Sequence, residues 1–180
     1  NPICRLMNHI NRCICRRADR IVALSSEMKT YILSHRDYPE NNVKVIPNWY
    51  ADHGIVAGNR ENNPFREVTK GRFTVAYFGN MGTMQDMKTL LEAVRELQNE
   101  DVFFLFAGHG NKMETLKQTV QAEGIENIAV YPFLHGQDFQ DALEISDCAL
   151  VTLVPGATGL CVPSKTYSYM MEGIPLIAIM

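Results

Sequence analysis

No stretch of this sequence is apolar for long enough to cross a membrane, and its amino terminus lacks the regions of a signal peptide. The five cysteines form no Cys-x-x-Cys pair, and Cys148 and Cys161 lie among apolar residues. These absences predict free thiols in a reducing, cytoplasmic compartment rather than a disulfide framework. The net charge of −3 gives no general attraction to nucleic acid.

Several motifs of nucleotide and metal sites are missing as well. No G-x-x-x-x-G-K-[ST] phosphate loop occurs, and neither glycine loop continues as G-x-G-x-x-G, which weighs against a dinucleotide site. There is no Asp-x-Asp pair to hold a metal-bridged diphosphate. Cys4, His9, Cys13 and Cys15 match no common zinc spacing. The sequence therefore predicts neither a bound metal nor a cofactor.

What is present is a regular alternation of apolar runs and amphipathic segments. The runs are apolar throughout, which is typical of parallel strands covered on both faces. The pattern predicts an α/β fold, a Rossmann-like parallel sheet with helices on both faces. Its expected strands are residues 73–78, 102–107, 128–131, 148–153 and 175–180.

The chain divides into three predicted parts. Residues 1–47, with a helix at 3–17 and short strands at 21–24 and 43–46, are expected to end one Rossmann-like domain. Residues 48–71, rich in Asn, Gly, Pro and charge, are the predicted linker, and residues 72–180 the second domain. The first residue is not Met and the last strand has nothing after it, so we expect a piece of a longer protein, incomplete at its carboxyl end.

The first helix has an apolar stripe and an arginine stripe. Residues 1–20 contain five arginines and a single acid, Asp19. A basic amphipathic helix can lie on anionic lipid, so one interpretation is peripheral contact with the inner face of a membrane. The alternative, which is the more common case, is the solvated outer face of a packed helix.

Three glycine-bearing loops follow predicted strands, at 79–82, 108–110 and 155–163. The carboxyl ends of parallel strands meet at one edge of a sheet, and glycine lets backbone N–H groups approach an anion there. Any one of these loops is equally explained by the needs of a turn, but together they favour a ligand. The candidate residues in the first two loops are Gly79, Asn80, Met81, Gly82, Gly108 and Gly110.

Ser164 and Lys165 open a predicted helix directly after Pro163. A helix amino terminus offers unpaired N–H groups to phosphate, and a hydroxyl and an ammonium stand beside them. Ser164 has capping as its alternative role. Lys165 has solvent exposure as its alternative, but a cation in a first turn is unfavourable unless an anion is present. Both residues are therefore predicted to bind a diphosphate.

Phe133 and Leu134 follow the strand at 128–131, where an apolar wall suits a flat base. A buried hydrophobic corner explains the same pair equally well. His109 and His135 are loop residues that either hydrogen-bond a sugar or phosphate or are simply exposed.

Five segments together resemble bacterial GT-B glycosyltransferases of the retaining family four, which includes capsule, O-antigen and exopolysaccharide enzymes. Residues 18–25 (ADRIVALS) resemble the strand that closes the amino-terminal domain of that family, and residues 43–49 (VKVIPNW) resemble its crossover. The donor-binding elements of its second domain are similar to residues 77–82 (YFGNMG), 106–110 (FAGHG) and 162–175 (VPSKTYSYMMEGIP).

The resemblance implies transfer of a sugar from a nucleotide-diphosphate sugar, first of all a UDP-sugar, to a cell-surface glycan or a lipid-linked acceptor. It places the 79–82 turn at the diphosphate, Phe133 at the base, and Ser164 and Lys165 at the phosphates or sugar. Because acceptor residues would lie mainly in an absent amino-terminal domain, this chain is expected to bind nucleotide weakly and to catalyse nothing.

The sequence departs from the family pattern in two places. The family carries two glutamates at a fixed spacing; the first would fall near Gly159 and the second, which binds ribose, at Ser168, and neither position is acidic. The basic residue usual in the first glycine loop is replaced by Asn80 or Gln85. Two alternatives stay open at this stage: a Rossmann-like oxidoreductase fragment, and a non-catalytic domain that has lost its donor site.

Overall fold

The structure is a computed structural model, and it describes residues 2–36, 38–49, 60–157, 159 and 161–180. The chain forms two units: residues 1–49 with 157–162, and residues 50–156 with 163–180. The grouping of 157–162 with the first unit differs from the sequence prediction, which placed these residues in the second domain. Its physical basis within the first unit includes the Ser25 hydroxyl, which donates to the carbonyl of Gly159 at 3.5 Å.

The first unit begins with helix α1 (Pro2–Arg17), followed by strand β1 (Ile21–Ala23), helix α2 (Ser26–His35) and strand β2 (Val43–Val45). β1 and β2 pair in parallel. Ser25 caps the amino terminus of α2: its hydroxyl accepts a hydrogen bond from the Met28 N–H at 3.0 Å, which pairs one of the free amides of the first turn. The helix predicted at 3–17 and the short strands predicted at 21–24 and 43–46 are thus confirmed.

None of the residues of α1 is buried, and its apolar stripe is exposed. The stripe contains Ile3, Leu6, Met7, Ile10 and Ile14. Among the residues that the structure describes, no helix is long and apolar enough to span a bilayer. His9 and Cys13 touch at 3.6 Å, but the same residues contain no group of three or more His, Cys, Asp or Glu side chains suited to a metal.

The second unit is a five-stranded parallel sheet in the order β5-β4-β3-β6-β7, which confirms the predicted Rossmann-like fold. Between β1 and β7 in the chain, each long connection contains a helix. The elements are α3 (Arg66–Thr69), β3 (Phe73–Asn80), α4 (Met87–Glu96), β4 (Val102–His109), α5 (Met113–Glu123), β5 (Ile128–Pro132), α6 (Gly136–Glu144), β6 (Cys148–Thr152), α7 (Lys165–Met171) and β7 (Leu176–Ile179).

The central strand shows why its sequence is apolar without interruption. Val75 and Tyr77 point to one face of the sheet and pack in a core cluster with α4 and α5. Ala76 and Phe78 point to the other face and pack in a second cluster with α6 and α7. Since successive side chains of a strand alternate between faces, helices on both sides require apolar residues at every position.

The described end of the predicted linker packs into the second unit. Phe65 is buried and its ring meets Tyr131 edge-on at 5.4 Å. Asn63 and Thr69 are buried beside it, and residues 50–59 lie outside the described residues. The last strand forms as predicted; β7 lies at one edge of the described sheet, and Ile177 is 51% exposed.

Candidate functional site

Strand β3 lies at the point where the strand order reverses. The chain passes from β3 to β4 on one side and returns to β6 on the other, and ligands of such sheets bind at the carboxyl ends beside this reversal. β3 pairs with β6 only at Val75 and Ala76. Beyond them the Phe78 N–H donates to the Tyr169 hydroxyl of α7 at 2.8 Å instead of to a strand. α7 therefore contacts β3 where the two strands have separated.

The first two glycine loops are in backbone contact at this edge. Gly79 and Gly108 are paired in the β3–β4 register, and a Cβ atom on Gly108 would lie 1.8 Å from the carbonyl oxygen of Gly79. A Cβ atom on Gly110 would lie 2.5 Å from the carbonyl oxygen of Met81. No side chain fits at either position, so the glycines serve close packing of the loops as well as an open surface.

Asn80 joins these loops. Its side chain fills the space beside Gly82 and Gly110, where added Cβ atoms would lie 2.8 Å and 2.6 Å from its amide atoms. Its carbonyl oxygen accepts the Tyr77 hydroxyl at 2.6 Å. The residue as a whole remains exposed, in keeping with its predicted place in the site.

Met81 and Gly82 were both predicted to contact the ligand, and the structure shows that their polar groups already have partners within the protein. The Met81 side chain is fully buried in the core with α4, its N–H donates to His109, and its carbonyl accepts the Lys112 N–H. Met81 therefore has no group to offer a ligand. The Gly82 N–H donates to the side-chain oxygen of Gln85 at 3.1 Å, so this amide is already paired within the turn.

Lys165, the first residue of α7, extends to the first glycine turn. Its ammonium nitrogen lies 3.5 Å from the centre of the Tyr77 ring, and its Cε would be 3.2 Å from a Cβ on Gly79. Burial lowers the pKa of Lys165 to about 7. Within the described ranges, the ammonium makes no hydrogen bond or ion pair; the Tyr77 ring is its contact. The chain thus brings together the two features that the sequence predicted to meet.

The helix end itself offers less to an anion than predicted. The Thr166 and Tyr167 N–H groups already donate to the carbonyls of Pro163 and Ser164, both at 3.1 Å, so the expectation of free amides is wrong for these two. The Ser164 hydroxyl makes no capping bond and the residue is exposed. Ser168 lies nearly one turn further along α7 and is partly buried. Positive charge at this point therefore comes from Lys165 rather than from backbone amides.

An exposed aromatic surface lies further along the same edge. Pro132 pairs with Gly108, which pairs with Gly79, so the end of β5 is two strand spacings, about 10 Å, from the first turn. Phe133 follows Pro132 and is 46% exposed, with the His109 ring at 5.5 Å and the His135 ring at 4.6 Å. Leu134 packs against the core. The open surface predicted for a base exists at Phe133, whereas Leu134 belongs to the buried corner.

Sequence reasoning missed three residues of this site. Tyr77 and Tyr169 could not be recognised from the sequence, because a tyrosine in an apolar strand or helix gives no indication of the hydrogen-bond partner of its hydroxyl. Lys112 directly precedes α5, yet its ammonium donates to the carbonyl of Gln85 in the first loop at 2.7 Å. This contact brings a cation from the neighbouring loop to the first one, a pairing that only the β3–β4 register makes evident.

A Rossmann-like sheet with glycine turns and an enclosed lysine at its reversal point is an arrangement typical of nucleotide-binding domains. Residues 59–178 match the family Glycosyl transferases group 1, and the chain belongs to this family. This assignment confirms the glycosyltransferase resemblance and disfavours the oxidoreductase alternative.

Known relatives include curated proteins and solved structures. The chain is 30% identical over 178 residues to the probable glycosyltransferase WbjE of Pseudomonas aeruginosa and 23% identical over 179 residues to the putative colanic acid biosynthesis glycosyl transferase WcaI of Escherichia coli K12. The two matches cover 98% and 95% of this chain, but 44% and 43% of the respective relatives. The chain therefore spans less than half the length of these curated proteins.

The fold has solved counterparts. The crystal structure of Anabaena HepE, in complex with UDP and glucose, superposes with a TM-score of 0.78 at 16% identity, covering 95% of this chain and 47% of HepE. At this level of identity the match shows a common GT-B-like architecture, in agreement with the strand order described above.

Proposed function

We propose that this chain is the donor-binding half of a retaining glycosyltransferase of family four, which transfers a sugar from a UDP-sugar to a cell-surface glycan or lipid-linked acceptor. The observation that carries the proposal is the Lys165 ammonium, which is held beside Gly79 at the reversal point of the sheet with only an aromatic ring as its contact in the described residues. The names of WbjE and WcaI both support sugar transfer, and that of WcaI, a putative colanic acid biosynthesis glycosyl transferase, supports a role in polysaccharide assembly.

Each part of the site has a task in this proposal. The diphosphate lies over the Gly79 turn beside the Lys165 side chain, and Lys165 neutralises the charge that develops on the leaving diphosphate. The Ser164 hydroxyl donates to the same group, and Ser168 takes the position of the ribose contact. The uracil ring stacks on Phe133, between the rings of His109 and His135.

The 180-residue chain alone is proposed to bind the donor weakly without turning it over, because the acceptor residues of the whole protein lie elsewhere. The free thiols of Cys4, Cys13, Cys15, Cys148 and Cys161 suit a cytoplasmic location. The loss of acids near Gly159 and at Ser168 keeps a non-catalytic role as the competing proposal.

Calorimetric titration with UDP, ADP and GDP tests the proposal. We expect heat of binding with UDP and weaker or no heat with ADP and GDP, and no response to NADH in a parallel fluorescence titration. Circular dichroism confirms that the material is folded. Absence of heat with all three nucleotides would exclude a donor site, while preferential binding of ADP or GDP would overturn the assignment of the base alone.

The α1 helix supports a second element of the proposal, peripheral contact with the inner face of the membrane. Its exposed apolar stripe lies on the same helix as Arg5, Arg12, Arg16 and Arg17. At low salt we expect the protein to float with vesicles in which about one third of the lipid is anionic. Ile10→Glu should abolish this flotation without loss of UDP binding. Wild-type protein that stays at the bottom of the gradient would leave α1 as a packing surface.

A further inference from the structure

We infer that Tyr77 is a positioning residue of the diphosphate site: its ring holds the Lys165 ammonium beside Gly79, and its hydroxyl fixes the first glycine turn through the carbonyl of Asn80. The inference rests on the proposed function, since it assigns a role within the same site. Tyr77 itself does not reach the ligand, because it is fully buried under the turn.

The two contacts of Tyr77 connect elements that are distant in sequence. The ring lies 3.5 Å below the ammonium nitrogen of α7, and the hydroxyl donates at 2.6 Å to the Asn80 carbonyl at the end of β3. A third contact steadies the ring itself, which packs against Phe106 of β4 with centres 5.5 Å apart. One side chain therefore sets both the cation and the backbone turn that the diphosphate would touch.

Holding the lysine in advance removes a cost of binding. A free lysine side chain loses much rotamer entropy when a ligand immobilises it, whereas Lys165 is already confined between the Tyr77 ring and Gly79. A carboxylate would neutralise the charge of the ammonium, whereas the cation–π contact holds the ammonium in place and leaves its charge uncompensated. The ammonium remains available to an incoming anion.

The enclosure also makes binding depend on protons. Burial lowers the pKa of Lys165 to about 7, so near neutral pH the unliganded protein contains both the neutral and the charged lysine. The titratable groups near it are the phenols of Tyr77 on β3 and Tyr169 on α7, which stay neutral because burial raises the pKa of each. A bound diphosphate favours the ammonium, so binding takes up part of a proton near neutral pH.

UDP-glucose is the appropriate probe, because its diphosphate is esterified at both ends and lacks the phosphate ionisation near pH 6 that UDP has. Titration at pH 7 in buffers of different ionisation enthalpy gives the number of protons taken up. Wild type is compared with Tyr77→Phe, which keeps the ring, and Tyr77→Met, which removes it with a flexible side chain that fills the space. Phe104→Met is the matched control, since Phe104 is buried in the same core and its ring contact is with Phe106 rather than with Tyr77.

We expect Tyr77→Met to weaken binding about tenfold, the loss of a partly desolvated cation–π contact. Because methionine keeps the lysine buried but no longer stabilises the ammonium, the pKa of Lys165 should fall further and proton uptake on binding should rise. Tyr77→Phe should weaken binding about threefold, through loss of the Asn80 hydrogen bond, with proton uptake unchanged. Phe104→Met should lower the thermal midpoint with little change in affinity or proton uptake.

A second measurement needs no ligand. In protein with ¹³C-labelled lysine, the Lys165 signal should titrate near neutral pH in wild type, Tyr77→Phe and Phe104→Met, and at lower pH in Tyr77→Met. Unchanged titration and unchanged proton uptake in Tyr77→Met would overturn the role of Tyr77 while leaving the donor site intact. Failure of every variant and of wild type to bind UDP-glucose would instead overturn the proposed function on which the inference rests.

Discussion

Replacement of Gly108 by alanine is expected to lower the free energy of unfolding by at least about 3 kcal/mol. The added Cβ would lie 1.8 Å from the carbonyl oxygen of Gly79, which is a backbone atom and cannot rotate away. Relief requires β3 and β4 to separate at their carboxyl ends, where their eight-residue pairing supports the whole site. Urea denaturation followed by circular dichroism measures the loss, and UDP binding should disappear with it.

Gly124→Ala is the matched control for this prediction. Gly124 ends α5 with a φ of +63° and has open space around its missing side chain. Its replacement should cost only about 1 kcal/mol, the cost of a left-handed conformation for alanine. If Gly108→Ala were no more destabilising than Gly124→Ala, the contact between the two glycine loops would not exist in the folded protein.

The sheet could be predicted because its physics is local and repetitive. A strand such as β3, apolar at every position, needs cover on both faces, and the helices that follow each strand supply it. The buried anchor Phe65 was missed because a single aromatic residue in a polar stretch shows no periodicity.

The sequence predicted the position of the site, at the edge where several strands end together. It did not predict the side-chain contacts that connect one loop or element to another. Lys165 and Gly79 were expected to meet because parallel strands place their following loops at one edge. The role of Lys112 depends on which loop lies beside which, and that of Tyr77 on the direction in which one ring points under the turn. The free amides expected at Thr166 and Tyr167 were wrong because a tight first turn closed on Pro163 and Ser164.

Replacement of Lys165 by methionine is expected to weaken UDP-glucose binding about a hundredfold at pH 7, since a charge-assisted contact of this kind contributes about 1.5–3 kcal/mol. Methionine keeps the unbranched shape of the side chain over Tyr77, so the difference reports charge rather than packing. Lys165→Arg should retain part of the affinity, because the guanidinium remains charged but its planar shape does not match the enclosure beside Gly79.

Lys165→Met should also change how the free energy of unfolding depends on pH. The Lys165 pKa is about 7 in the folded chain and 10.5 for the ordinary side chain, so between these values the unfolded state binds more protons. Wild-type stability therefore gains a contribution that grows as the pH rises from about 7 toward 10, and Lys165→Met lacks that gain. Urea denaturation of both proteins across this range, plotted as the difference, isolates the lysine from all other groups.

The most direct test of a diphosphate seat at Lys165 is a calorimetric titration of UDP-glucose into the wild-type protein and Lys165→Met at pH 6 and pH 8.5. The donor-site proposal predicts that wild-type affinity falls as the pH rises through the lysine pKa, and that Lys165→Met binds weakly and equally at both values. Equal affinities for wild type and Lys165→Met at pH 6, measured on folded protein, would contradict it.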